Sequence, residues 1–422
     1  LKNTTGTNNS AIFDTSAKPE KFILVGLEAD SLDELHELVK TANALGIDRL
    51  TQQRERPHPA TYLGKGKVEE LRDLISLHDA TGIVCDDELT NTQIRNLSDA
   101  LDVKVLDRTL IILEIFANNA HTAEAQAQVE LAQQRYRLSH LTGLGRSLSR
   151  LGGGIGTRGP GEKKLETDRR HIRRRIEELG AELKDIETHR NVQRSARERS
   201  GELIISLVGY TNAGKSTLMN TLTEAGVYAS NKLFATLDIT TRKMILPGGA
   251  NTRLSDTVGF INKLPHHLVK AFRATLSELK YSDLLVHVVD SSNVESAAHI
   301  AVVNSVLEEL KISDMPIILV LNKADLGVPV PVPLDPLSSK TVQISAKTGQ
   351  GIPILLSEIE EVLNRGRKLL KAVIPYSQGP LLDKIRQACE IVEEEYVENG
   401  VAIKFWANEE AENRAADYVV KD

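Results

Sequence analysis

Nine consecutive residues constrain this chain more than any others: Gly209, Tyr210, Thr211, Asn212, Ala213, Gly214, Lys215, Ser216 and Thr217. They follow a continuous apolar run of strand length, residues 204–208, and a helical pattern begins at Leu218. Strand, glycine loop and helix in that order let backbone N–H groups converge on a phosphate. In such a loop Lys215 neutralises the β and γ phosphates and Ser216 ligates Mg2+. Taken alone, the loop also reads as a helix-capping glycine turn.

Later segments supply what a capping turn would not need. Asp256, Thr257, Val258 and Gly259 follow a strand-like stretch, placing Asp256 to hold Mg2+ through water and the Gly259 amide to sense the γ-phosphate. Asn322, Lys323 and Asp325 follow the apolar run 317–321. A carboxylate at Asp325 accepts both hydrogen bonds from the N1 and N2 edge of guanine, which adenine cannot donate, and so selects GTP and GDP over adenine nucleotides. Ser345, Ala346 and Lys347 offer a backbone amide to the guanine O6. Between these blocks lie Phe234, Ala235, Thr236, Leu237 and Asp238, a switch segment in which Thr236 is the first choice of Mg2+ ligand and Thr240 the second. Lys215, Thr236 and Gly259 are therefore the expected catalytic groups. Phe260 stands where many GTPases carry a water-orienting glutamine, so hydrolysis is expected to be slow alone and to need help. Asn212 either stabilises the turn or helps to hold K+.

The rest of the chain is read by pattern. Its length of 422 residues exceeds one core and suggests two to four domains. An apolar fraction of 41% with 26% charged residues excludes wholesale disorder, and 4% aromatics argues against recognition of single strands mainly by base stacking. Cys85 and Cys389 are isolated and read as reduced thiols. No run approaches the ~20 apolar residues of a membrane span; the expected location is cytoplasmic and the expected state a monomer.

Residues 1–20 read as a disordered lead and 21–120 as an N-terminal α/β domain with a largely parallel sheet. Its strands are expected at 22–27, 47–51, 82–85 and 103–106. Helices are expected at 31–45, capped by Ser31 with Glu34, then from Val68 and from Thr90. Residues 121–200 carry two helical patterns around a glycine-rich loop at 143–161 and read as a long antiparallel hairpin. Residues 201–366 form the P-loop domain, interrupted by a surface loop at 328–337. A small C-terminal α/β domain covers 367–422, with a helix near 381–391 and a strand near 401–406. The fold class is thus α/β throughout.

A net charge of −6 conceals an asymmetry: residues 134–175 hold twelve Lys/Arg against three Asp/Glu. Arg146, Arg150 and Arg158 lie in the glycine-rich loop, and Arg169, Arg170 and Arg173 on the helix after it. Arginines on a backbone that can approach closely suit RNA phosphates, although charge runs are also common as solvated faces.

These strings together resemble the HflX family of translational GTPases. The resemblance is carried by residues 209–217, 234–238, 256–260 and 322–325, by the glycine-rich stretch 152–161 with residues 165–170 after it, and by 62–67 near the N-terminus. It spans about residues 21–365 and is most specific in the glycine-rich stretch. It implies binding to the large ribosomal subunit and its rRNA, GTP hydrolysis stimulated by ribosomes, and splitting of stalled or stress-inactivated ribosomes. It also implies an ability of the N-terminal domain to bind ATP. Ile239 and the pair Lys163–Lys164 depart from the family pattern without touching the expected nucleotide ligands. Two other readings of the residues are a ribosome-assembly or RNA-modification GTPase and a nucleotide-sensing adaptor of a protease complex.

Overall fold

The computed structural model describes residues 19–28, 31–141, 160–198, 203–223, 233–234, 240–263, 276–312, 315–327, 335–364, 368–407 and 409–420. The chain divides into two compact units. The first holds residues 1–184 with 232–237 and 263–272, and the second holds the remainder.

The first unit is built on four short strands, β1 (Lys21–Gly26), β2 (Leu45–Thr51), β3 (Gly82–Cys85) and β4 (Lys104–Asp107), in the order β2-β1-β3-β4. All three pairings are parallel, as expected when every strand is followed by a helix. Alternation along β1 sends Ile23 and Val25 into a core with Leu71 and Ile75 of α2 (Lys65–His78) and with Leu97 and Leu101 of α3 (Asn91–Leu101). Helix α1 (Ser31–Thr41) packs against β1, β2 and α4 (Arg108–Asn119).

Boundaries shift where tertiary contacts intervene. Helix α1 stops at Thr41 rather than at residue 45, because β2 starts at Leu45 to pair with Lys21. Helix α2 starts at Lys65 rather than at Val68, so Lys65, Gly66 and Lys67 form its first turn. Glu34, expected to close a cap on α1, sends its carboxylate to Arg108, which is fully buried and also bonds Asp86 at 2.7 Å. Thr90 does cap α3, with Gln93 completing the capping box.

Two further helices follow, α5 (Ala123–Leu141) and α6 (Pro160–Glu198). Ala127 and Leu131 of α5 meet Ile176, Leu179 and Leu183 of α6. Arg175 grips Glu130 with two bonds of 2.7 Å.

The second unit contains β5 (Leu203–Gly209), β6 (Thr240–Ile245), β7 (Asn251–Asp256), β8 (Leu284–Asp290), β9 (Ile317–Asn322) and β10 (Lys340–Gln343), ordered β10-β9-β8-β5-β7-β6. Every pairing is parallel except that of β6, which runs antiparallel on the edge. Near-continuous apolar strands such as Ile317–Asn322 fit a sheet covered on both faces. The core joins Ile205, Leu207, Val286, Val288, Ile318 and Val320 to Leu218 of α7 (Lys215–Thr223) and Leu355 and Ile359 of α9 (Ile352–Leu363). Helix α8 (Ser296–Glu309) contributes Ile300, packed with Val289 and Leu319.

Of the surface loop expected at 328–337, residues 328–334 lie outside the described ones, and its end is a turn in which one residue is drawn inward. Asp335 is buried, bonded to His287 Nδ1 at 2.9 Å and accepting from Asn304 at 2.7 Å, because a histidine on the central strand needs a partner.

The C-terminal part also departs from expectation. Its helix covers only Gly379–Ala388, and Ile391 belongs to β12 (Glu390–Val397). With β11 (Lys368–Ile374) and β13 (Gly400–Ala407) it forms an antiparallel sheet, ordered β11-β13-β12. Among the described residues no helix is long and apolar enough to cross a membrane.

Candidate functional site

In an open parallel sheet the loops at the carboxyl ends of the strands converge, and ligands bind there. In the second unit those loops carry every described nucleotide candidate except Phe234. Strand β5 ends at Gly209 and the chain turns into α7 through Asn212, with φ of 60°, and Gly214, with φ of 98°. A Cβ at Gly214 would lie 2.2 Å from Asn322 Nδ2, so this turn requires glycine for both conformation and space. An asparagine tolerates the left-handed region at Asn212, which gives that exposed residue a local reason of its own.

Lys215 is buried inside the loop, donating to the carbonyls of Gly209 at 3.0 Å and Tyr210 at 2.8 Å. Burial pushes its ammonium down to about 8, partly opposed by Asp256. Ser216 Oγ donates to Asp256 Oδ2 at 2.7 Å, at the end of β7. Thr240, the second choice of switch ligand, is the first residue of β6 and pairs in register with Asp256.

The segment after Asp256 closes onto the phosphate loop through an isolated bridge between Tyr210 and Phe260. Thr257 donates to the Leu207 carbonyl at 2.7 Å. Phe260 accepts from Thr211 N at 2.7 Å and donates to the Gly209 carbonyl at 3.1 Å. Its ring is buried, so it has nothing to offer an attacking water. Gly259 sits so close that a Cβ there would be 2.9 Å from Lys215 Nζ and 3.0 Å from Thr211. Thr211 Oγ1 is buried beside it without a hydrogen-bond partner among the described residues.

At the other end of the site, Asn322 joins three loops. Its Nδ2 donates to the Ala213 carbonyl at 2.8 Å, and its Oδ1 accepts from Ala346 N at 2.9 Å. Lys323 pairs with Asp290 at 2.6 Å. Asp325 is exposed, with Oδ1 accepting from Ser345 Oγ at 2.7 Å, and that bond holds its carboxyl below the usual range. Ser345 itself is fully buried, whereas Lys347 is exposed. A carboxylate at Asp325 and a caged lysine can together grip a base at one end and phosphates at the other, whereas the Ala346 amide expected at the guanine O6 is engaged by Asn322.

Other expected residues are placed differently or lie outside the described ones. Ala235, Thr236, Leu237 and Asp238 lie outside the described residues, as do Arg146, Arg150 and Arg158. Phe234 belongs to the first unit, its ring edge-on to Phe116 at 4.7 Å and its carbonyl accepting from Asn119 at 2.8 Å. Arg169 is partly exposed and Arg170 and Arg173 are exposed on α6, whereas neighbouring Arg174 pairs with Glu178.

Sequence reasoning missed Thr221, whose hydroxyl holds the Ala346 carbonyl at 2.7 Å, and Ser291, which donates from N and Oγ to the Asn322 carbonyl. The serines immediately after the apolar run of β8 were the available signal for Ser291.

Known families and relatives agree with this geometry. The model described as "GTP-binding GTPase N-terminal" matches residues 29–117. "GTP-binding GTPase Middle Region" matches 119–197, and "50S ribosome-binding GTPase" matches 204–323. GTPase HflX of Lacrimispora saccharolytica is 52% identical over 405 residues, spanning 94% of this chain and 96% of that protein. GTPase HflX of Caldanaerobacter subterraneus is 46% identical over 406 residues, spanning 95% and 94%. GTPase HflX of Alkalihalophilus pseudofirmus is 44% identical over 388 residues, spanning 90% and 91%. With sequence similarity running through all three matched regions and a P-loop site assembled at the sheet's carboxyl edge, the chain belongs to the HflX family of GTPases, enzymes that bind and hydrolyse GTP.

Proposed function

We propose that this GTPase associates with the large ribosomal subunit and its rRNA and splits stalled or stress-inactivated ribosomes into subunits. The observation that carries the reading is the exposed arginine face of α6, Arg169, Arg170 and Arg173, beside the glycine- and arginine-rich stretch. The match of residues 204–323 to a "50S ribosome-binding GTPase" model supports the same partner. Helices α5 and α6 act as an antiparallel hairpin that presents those arginines, and the contacts of Leu131 with Leu179 support this arrangement. The working domains are 21–120, 121–200, 201–366 and 367–422, in a monomeric cytoplasmic protein.

Within the site, Lys215 neutralises the β and γ phosphates, the Gly259 amide meets the γ-phosphate, and Asp325 reads the guanine edge. Ser216 Oγ and the Asp256 carboxylate are oxygen donors suited to a hard cation, and their mutual 2.7 Å contact puts both within reach of one ion. They are the proposed Mg2+ ligands, the second acting through water, with Thr236 added from the switch segment. Mg2+ held by these oxygens would supply positive charge against the negative charge that develops during phosphoryl transfer. The turn conformation accounts for Asn212, so K+ forms no part of the proposal. ATP binding at the N-terminal domain stands as a separate expectation of the family resemblance and forms no part of this mechanism.

The lysine assignment has a pH signature. An ammonium pushed down to about 8 by burial regains its proton when a triphosphate arrives, because phosphate charge favours the cation. Below about pH 7 the group is already charged and contributes no pH dependence; above 8, GTP binding takes up a proton and affinity falls as pH rises, by up to about tenfold per unit. Calorimetry in buffers of different ionisation enthalpy should report proton uptake approaching one at about pH 9 and little at about pH 7. No uptake at the higher pH would mean that Lys215 is already charged in the free enzyme, and the pH signature would be lost.

Sedimentation tests the ribosomal reading. Intact ribosomes incubated with the protein and a non-hydrolysable GTP analogue should separate into subunits, with the protein in the large-subunit fraction. Arg169→Glu, Arg170→Glu and Arg173→Glu together should abolish that association, and leave GDP affinity within about twofold, since exposed charges act locally. Ribosomes that neither bind nor separate would end the reading. Association that survives charge reversal would favour the adaptor, and association confined to immature particles would favour an assembly factor.

A further inference from the structure

Phe260 cannot orient water, so hydrolysis at this site depends on how well Gly259 itself is placed. Catalytic donors must be held within roughly 0.5 Å of their productive positions. Among the described residues, three hydrogen bonds hold the segment against the phosphate loop. Two are the main-chain pair from Phe260 to Gly209 and Thr211, and two bonds on one residue define an axis about which the segment can still rotate. The third lies off that axis: Asn262 N donates to Tyr210 Oη at 2.6 Å.

Tyr210 is well made for this. It is the second residue of the phosphate loop, it is buried, and its ring lies flat on His299 of α8, with centroids 3.7 Å apart and planes inclined by 10°. A two-torsion aromatic clamped on one face is a stiff arm, so its hydroxyl has a defined position. That arm connects the loop around the phosphates to the segment that carries the γ-phosphate sensor.

We propose that Tyr210 is a positioning residue for GTP hydrolysis: its hydroxyl bond to Asn262 and its stack on His299 fix Gly259 over the phosphate loop, replacing the side chain that Phe260 does not supply. This rests on Gly259 lying at the γ-phosphate. The alternative is a buried phenol that takes the nearest amide and serves packing alone.

Single-turnover hydrolysis and nucleotide affinity separate the two. Tyr210→Phe keeps the stack and the burial and removes one bond; its hydrolysis rate should fall about tenfold while GTP and GDP affinities stay within about twofold. His299→Ala should slow hydrolysis about threefold, and His299→Phe should restore it by rebuilding the stack. A Tyr210→Phe enzyme with the parental rate overturns the proposal. So does a rate loss matched by an equal loss of GDP affinity, which would mark a collapsed loop. Gly259→Ala tests the underlying assignment, since its methyl would press on Lys215 and Thr211 and should abolish hydrolysis while GDP still binds. If that variant hydrolyses normally, the γ-phosphate reading fails; if it is inactive while Tyr210→Phe is normal, only the role of Tyr210 fails.

Discussion

Asp325→Asn should turn this enzyme from GTP toward xanthosine triphosphate, lowering GTP affinity by roughly 10²- to 10³-fold. The exposed carboxylate has Oδ1 fixed by the Ser345 hydroxyl at 2.7 Å, and that bond keeps it ionised. Both oxygens then remain acceptors for the two donors on the guanine edge. An asparagine with its oxygen still on Ser345 would turn its amide group outward. It would offer a donor where guanine also brings a donor, and guanine would lose one bond and meet a repulsion. Xanthine, with an N1–H donor and an oxygen at position 2, complements an amide. Competition of GTP and xanthosine triphosphate against a fluorescent GDP would display the inversion. Unchanged guanine selectivity would place the base elsewhere.

The parts of this site that were legible from the sequence are those made by contiguous residues. A strand, a loop of fixed glycine spacing and a helix occupy 203–223, so the local chain announces its own geometry. The same holds for the parallel sheet of the first unit, where short apolar runs alternate with amphipathic stretches. What escaped depends on distant partners. Tyr210 meets Asn262 and His299 across 52 and 89 positions, and no local pattern marks any of the three. Asp335 resembles any loop aspartate until β8 brings His287 to it. Strand β12 reads Glu-Ile-Val-Glu-Glu-Glu-Tyr-Val, and its charge obscured a strand whose partner is β13. Glutamate is a poor strand former, and here pairing with β13 overrides that preference. Helix α4 carries apolar residues almost all round, so periodicity could not identify its buried side.

Asn322→Ala should produce a defect of a different kind: weaker binding of every nucleotide with selectivity intact. Asn322 is buried, and its two bonds reach the phosphate loop at Ala213 and the base loop at Ala346. Removing its amide leaves one carbonyl and one N–H without their partner, each costing about 1–3 kcal/mol if water cannot reach it. Thr221 still holds the Ala346 carbonyl, and Ser291 bonds the Asn322 main chain, so the loops loosen without coming apart. The expected result is a loss of about 2–3 kcal/mol, roughly a hundredfold, shared equally by GTP and GDP. The preference for guanine over xanthine should persist because Asp325 and Ser345 are untouched. Equilibrium titration with GTP, GDP and xanthosine diphosphate separates this outcome from that of Asp325→Asn: one substitution moves all affinities together, the other reverses their order. If Asn322→Ala changed the order instead, the base would be read by Asn322 directly. Its bond to Ala213 would then have to break when nucleotide binds.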